Sequence, residues 1–282
     1  MAPTTFEDKV PALDHGVVPM TGSRLRLSVL GPMRAWRGGE QLDLGPVRQQ
    51  ALLAALVLRP GLPVNRQELL DGVWGLEPPA TNVVPVYVYR LRKCLRPGGG
   101  PQDSMIDRDR SGYRFVGEGV RVDATRLEEL AAEAGTAKRA GDLAAAVDKY
   151  TSALELFRGE PLAGLPGPFA EGQRRRLTER RIALLQEKLE WQLLLGRHAA
   201  VIGELSALTS AHPHHEPLAA LLMRALHDSG RQADALAVFT RQRRRLVEDL
   251  GVEPGEVLRR AHRAVLRGES DLGAGAARSK AS

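Results

Sequence analysis

From residue 25 the chain alternates apolar and polar positions in three short runs, LRLSVL (25–30), MRAWR (33–37) and EQLDL (40–44), broken by Gly31-Pro32 and Gly38-Gly39. Alternation at period two predicts half-buried strands, and a two-residue glycine turn predicts a hairpin, so the folded part opens as a small antiparallel meander. The period then lengthens. Residues 47–58 (VRQQALLAALVL) place Ala51, Leu52, Ala55 and Leu56 on one helical face, begin after Pro46 and stop at Pro60-Gly61. A second helix is predicted over 66–74 (RQELLDGVW), with Asn65 as its cap and Glu68 three residues on, the spacing of a capping box. A third is predicted over 80–95 (ATNVVPVYVYRLRKCL). Thr81 or Asn82 caps it, Pro85 falls in the first turn where a missing N–H costs little, and Val84, Val88, Leu91 and Leu95 form the buried stripe. Beyond a Gly/Pro-rich loop (97–102), SMIDR (104–108) and YRFV (113–116) read as the strands of a second hairpin.

A meander, three helices and a terminal hairpin are the parts of a winged helix-turn-helix, with the hairpin as the wing. The second half of the chain is helical and repetitive. AGDLAAAVDKYTSALEL (140–156), LGRHAAVIGELSALTSAHP (195–213) and SGRQADALAVFTRQRRRL (229–246) each set a glycine before an alanine-rich helix, and Gly196 and Gly230 lie 34 residues apart, the tetratricopeptide period. Residues 157–173 interrupt the array with an irregular insertion, after which 174–194 read as a long helix. The fold class is therefore mainly α with a little β. The expected divisions are a flexible arm (1–23), a winged helix domain (24–117), an all-α tetratricopeptide-like domain (118–268) and a flexible tail (269–282).

Composition narrows the function. Aromatics make up only 4% of the chain and hydrophobics 43%, which suits helices packed on helices. The one cysteine, Cys94, excludes a disulfide framework. No apolar run approaches the roughly 20 residues that span a bilayer, and the N-terminus lacks the pattern of a signal peptide. A cytoplasmic location is expected. The net charge of +6 is concentrated: residues 24–116 hold 14 Lys/Arg against 8 Asp/Glu. Such an excess favours a phosphate backbone, against the alternative of a solvated basic face.

The candidate contacts to double-stranded DNA follow from side-chain chemistry. Arginine forks onto guanine and lysine meets phosphate or guanine, so Arg90, Arg92 and Lys93 lead, each weighed against an ordinary solvated helix face. Thr81 and Asn82 are caps that also suit an anion. Tyr87 reads as a groove contact or as a packing residue. Arg48 and Arg66, near helix starts, are candidates for phosphate, and Arg110 at the wing for the minor groove or phosphate. Trp74 reads as core. His212, His214 and His215 invite a metal reading, but Pro213 already accounts for a turn there, and no metal is expected. The arginine runs 174–176 and 241–245 read as solvated faces. No nucleophile–base set, carboxylate pair or phosphate loop emerges, so neither catalysis nor a cofactor is expected.

Taken in order, LRLSVLGPMRAW, the run from PVRQQALLAALVL to YRLRKCL, the wing GYRF, and then VDATRLEELA, SGRQADALAVF and LVEDLGVEPGEVLRRAHRAVL resemble the Streptomyces antibiotic regulatory proteins over about residues 24–268. The resemblance implies a winged helix joined to a bacterial transcriptional activation domain. It implies activation of an antibiotic biosynthetic cluster, tandem protomers or a dimer on direct repeats, and recruitment of RNA polymerase holoenzyme with its sigma factor. It also makes Gly75, Leu76 and Glu77, the turn before the third helix, candidates for polymerase contact. Larger relatives add an ATPase domain; this chain has no G-x-x-x-x-G-K-[ST] motif, so the short members are its nearer match and nucleotide control in cis is not expected. Pro85 stands where relatives often carry a polar residue and points to a base preference of its own. A repressor of the same fold, or a tetratricopeptide adaptor without DNA readout, are the alternatives.

Overall fold

The computed structural model describes residues 25–96, 104–117 and 119–269; the arm, the loop at 97–102 and nearly all of the tail lie outside them. The opening meander is β1 (Leu25–Ser28), β2 (Arg34–Arg37) and β3 (Glu40–Leu42), antiparallel as the alternation predicts. A fourth strand joins its other edge. β6 (Arg121–Val122) pairs parallel with β1, Arg26 opposite Arg121 and Leu27 opposite Val122, which gives the order β3-β2-β1-β6. Two residues are too short a run to show periodicity, so nothing in the sequence marked β6.

Three helices come after the meander: α1 (Val47–Val57), α2 (Arg66–Trp74) and α3 (Val83–Cys94). The capping box of α2 is formed: Asn65 Oδ1 accepts from the Glu68 amide at 2.9 Å, and Glu68 Oε2 accepts from the Asn65 amide at 3.2 Å. The expected one-sided stripe on α1 is too narrow. Leu53, Ala54, Val57 and Gln49 are buried as well, because α2, α3, the second half of the chain and the wing surround this helix. The wing is β4 (Ile106–Arg108) against β5 (Tyr113–Phe115). A bridge between Tyr113 and Val64, with N–H···O distances of 2.8 and 2.9 Å in the two directions, ties it to the segment before α2.

The second half pairs α4 (Asp123–Arg139) with α5 (Leu143–Leu154), α6 (Pro168–Leu194) with α7 (His198–Ala211), and α8 (Glu216–Asp228) with α9 (Gln232–Leu250), and ends in α10 (Glu256–Arg267). Gly141, Gly196 and Gly230 sit at the turns before α5, α7 and α9 with φ of 83°, 75° and 76°, a region that favours glycine. Tyr150 and Trp191 pack at 4.6 Å in the core of α4, α5 and α6.

We place the division of domains at residues 117–118 in chain order, but packing crosses it. The first core takes in Leu162, Leu165 and Ala170. Leu162 and Leu165 come from the insertion, which is therefore a clamp. The amides of Arg158 and Leu162 donate to the Leu30 and Val29 carbonyls at 2.8 and 3.0 Å. Leu162 is fully buried and holds φ of 52°, a strained value for leucine that its packing offsets. Arg174 is not part of a solvated face: its guanidinium donates to the Leu162 and Leu165 carbonyls at 3.1 and 3.0 Å and fixes the clamp from α6.

Asp123, the first residue of α4, closes the joint from the other side. Its carboxylate accepts from Ser28 Oγ at 2.6 Å and from the amides of Val29 and Leu30 at 2.9 and 3.1 Å. Burial pushes its carboxyl above the ordinary aspartate value, against these hydrogen bonds. Asp123→Ala strands both amides in a part-buried place and is expected to cost roughly 2–4 kcal/mol. Chemical unfolding checks this, with Asp123→Asn recovering part of the loss because the amide oxygen still accepts.

Candidate nucleic-acid interface

Val84, Val88, Leu91 and Leu95 are all buried, as the spacing predicts. Their phase turns a second stripe outward: Asn82, Val86, Tyr89, Arg90 and Lys93, at steps of four, three, one and three. All five are exposed, and none is acidic. At 1.5 Å per residue the stripe runs roughly 16 Å, a length that fits the major groove.

Contacts at both ends hold the stripe. At the C-terminal end Arg37, from β2, donates to the carbonyls of Leu95 (2.6 Å) and Arg96, which no later turn of α3 would satisfy. At the wing side Arg92 Nε donates to the Ile106 carbonyl at 2.8 Å. The Nε of Arg92 is thus engaged in joining helix to wing, whereas Arg90 and Lys93 make no side-chain hydrogen bond or ion pair among the described residues.

At the N-terminal end the expected cap is different. Asn82 occupies the cap position, but neither it nor Thr81 caps α3 with its side chain. Asn82 Oδ1 instead accepts from Arg66 Nε at 3.0 Å. That hydrogen bond places the N-termini of α2 and α3 side by side, with exposed Arg66, Thr81 and Asn82 together. Pro85, within the first turn, removes one further N–H there.

Tyr87 takes the packing role. Its ring stacks on Trp74 at 5.9 Å and 23°, and the Arg48 guanidinium lies 5.6 Å from the same Trp74 ring. Arg48 is half-buried, with Nη1 buried and without a partner. Trp74 is part-buried against the first core.

At the wing tip Asp109 turns back on its own loop. Its Oδ1 accepts from the amides of Ser111 and Gly112, at 2.7 and 3.2 Å, and from the Ser111 hydroxyl. These bonds, the Ser111 hydroxyl foremost, hold its carboxyl below the ordinary value, so it stays charged. Asp107 lies across from Arg114 in the strand register. With both acids so placed, exposed Arg110 projects at the turn.

The turn between α2 and α3 carries Leu76, fully exposed, and exposed Glu77. Gly75 (φ 64°) packs on Pro168 at the start of α6. The turn therefore rests on the second half of the chain.

Among the described residues the histidines form no metal cluster. His214 Nε2 pairs with Asp249 at 2.8 Å, and His215 Nδ1 accepts from the Leu218 amide as the cap of α8.

A model described as the C-terminal part of transcriptional regulatory proteins matches residues 39–115, and one for the bacterial transcriptional activator domain matches residues 122–266. The chain belongs to the Streptomyces antibiotic regulatory protein family. The regulatory protein AfsR of Streptomyces griseus is 44% identical over 94% of this chain, and this chain spans 27% of AfsR. DnrI, a regulatory protein of Streptomyces peucetius, is 33% identical over 88% of this chain and 94% of its own length. A solved structure of Mycobacterium tuberculosis EmbR in complex with a low-affinity phosphopeptide superimposes with a TM-score of 0.81 at 31% identity, over 90% of this chain and 69% of that one. The winged helix and the all-α activator domain are thus the family's own pair.

Within this family fold, sequence reasoning passed over Tyr89, Val86 and Arg37. The first two were within reach, since the buried stripe fixes the helical phase and that phase turns 89 outward and 87 sideways. Arg37 was not, because only the folded sheet brings β2 to the end of α3.

Proposed function

We propose that this chain binds double-stranded DNA through the outward stripe of α3, with Arg90 and Lys93 as its principal contacts, and activates a secondary-metabolite gene cluster. Arg66, Thr81 and Asn82 meet phosphate at the helix start, and Arg110 does so from the wing. Arg92 positions the wing first and contacts DNA second. Tandem protomers on direct repeats one helical turn apart lie on one face of the duplex. The exposed turn Gly75–Glu77 then meets RNA polymerase holoenzyme with its sigma factor. The observation that carries the reading is the acid-free stripe Asn82, Val86, Tyr89, Arg90 and Lys93, held by Arg66 at its start and by Arg37 at its end and left open in between.

Footprinting on the promoter beside the protein's own gene tests it. A lost guanine contact costs about 1–3 kcal/mol, so Arg90→Ala is expected to weaken protection about 10- to 100-fold with the far-UV spectrum unchanged. Lys93→Ala, if it removes a phosphate contact, lowers the slope of log affinity against log salt by about one. Protection that survives both substitutions overturns the assignment and favours the adaptor reading.

A further inference from the structure

A groove of about 730 Å³ opens between α6, α8 and α10, far along the chain from the stripe of α3. That size is typical of small-molecule sites. One wall is a stripe of α8, with part-buried Pro217, Ala220, Arg224 and His227 and buried Leu221 at helical spacing, and α10 supplies Val257, Ala261 and Ala264 opposite.

The charges on this groove are uneven. Four arginines line it, 224, 260, 263 and 267, against Glu190 and Glu269. Most are already engaged. Arg263 pairs with Glu256, Arg260 lies 3.9 Å from the same carboxylate, Arg267 reaches Glu269 at 3.5 Å, and Glu190 accepts from Gln186 at 3.0 Å. Arg224 is the exception: it is half-buried and has no ion pair or hydrogen bond among the described residues. One turn further along the same face, His227 has both ring nitrogens buried without a partner. The buried imidazole nitrogens are costly to leave unsatisfied, whereas the Arg224 guanidinium nitrogens are open to solvent and free to take a ligand.

We propose that this groove binds a small amphipathic anion: an aromatic or alicyclic body carrying one carboxylate or sulfonate. The acid group takes the Arg224 fork bidentately, the geometry a planar guanidinium favours. The body covers Leu221 and Ala220 on one side and Val257 and Ala261 on the other. An apolar helix laid in the groove would bury Arg224 with no acceptor, which the charge pattern disfavours.

Two dyes that share a ring system test this on the full chain. 1-Anilinonaphthalene-8-sulfonate carries the acid; N-phenyl-1-naphthylamine lacks it. The expected result is saturable one-site fluorescence enhancement by the sulfonate, about tenfold or more tighter than by the neutral dye. Arg224→Met is expected to remove that preference, with the melting temperature and neutral-dye binding unchanged. Val257→Arg, at an exposed position of the opposite wall, puts a charge against the dye body and is expected to weaken both dyes, with a circular dichroism melt unchanged from the parent chain. Non-saturating binding, equal affinity for the two dyes, or an unaltered sulfonate affinity in Arg224→Met overturns the proposal. So does sedimentation showing a dimer that Arg224→Glu dissociates, since the groove would then be an interface.

Discussion

Gly112→Ala is expected to detach the wing. A Cβ at this position would lie 2.2 Å from the Val64 carbonyl oxygen and 2.8 Å from Asn65 Cα. Both are backbone atoms, so no side chain can swing aside. The φ of 146° adds its own strain. Strain of about 1–3 kcal/mol and loss of the two Val64–Tyr113 hydrogen bonds at about 1 kcal/mol each sum to roughly 3–5 kcal/mol. In a chain of this size that lowers the melting temperature by roughly 6–20 °C. The control is Gly119→Ala. Gly119 also has a positive φ, 81°, but nothing lies within 4 Å of its Cβ position. Conformational strain alone predicts similar losses for the two; the clash predicts a much larger one for Gly112. Because Arg92 is bonded to Ile106 of the same wing, the Gly112 variant should also lose DNA affinity at temperatures where it remains folded.

How much of this fold the sequence showed depends on the range of the interaction that made each element. The second helix was legible to the residue because its determinants, Asn65 and Glu68, lie within one turn of its start. The third was legible from four apolar residues at helical spacing. The glycine turns before α5, α7 and α9 were legible because local backbone geometry demands them. The long helix begins at Pro168, six residues before the predicted start. Gly167-Pro168 is a helix-start signal, but it was absorbed into an insertion that looked irregular. The features hidden from the sequence are those that distant segments create together: the pairing of β6 with β1, the clamp of Leu162 on the first core, and Arg37 at the end of α3. The same distinction applies to the candidate site. The positions of Arg90 and Lys93 follow from helical phase alone, whereas the partial commitment of Arg92 and the placing of Arg48 beside Trp74 follow from tertiary packing.

The clamp leads to the second large effect. Gly167 (φ 98°) sits where α6 begins against the end of α2, and a Cβ there would approach the carbonyl oxygens of Gly72 and Val73 at 2.6 Å each. The neighbouring pairs are close as well: a Cβ on Gly72 would stand 3.2 Å from Phe169, and one on Gly75 3.3 Å from Pro168. Three glycines therefore let α2 and α6 approach with little between them, and Arg59 lies 4.9 Å over the Phe169 ring beside the joint. Because Leu162, Leu165 and Ala170 belong to the first core, the intact chain is expected to melt in one transition. Gly167→Ala forces α6 away from α2 at a cost of roughly 3 kcal/mol or more. The winged helix and the remaining helices should then melt in two separable steps. Gly164→Ala, three residues upstream with φ of 74° and open space around its Cβ, should keep the single transition. Calorimetry distinguishes these results, and one transition in the Gly167 variant would show that the two halves are coupled elsewhere. The consequence for function is specific. The turn at Gly75–Glu77 rests on Pro168, so separating α6 from α2 frees the proposed polymerase contact while leaving the α3 stripe and its Arg37 and Arg92 anchors in place. Transcription in vitro should fall more than promoter binding does.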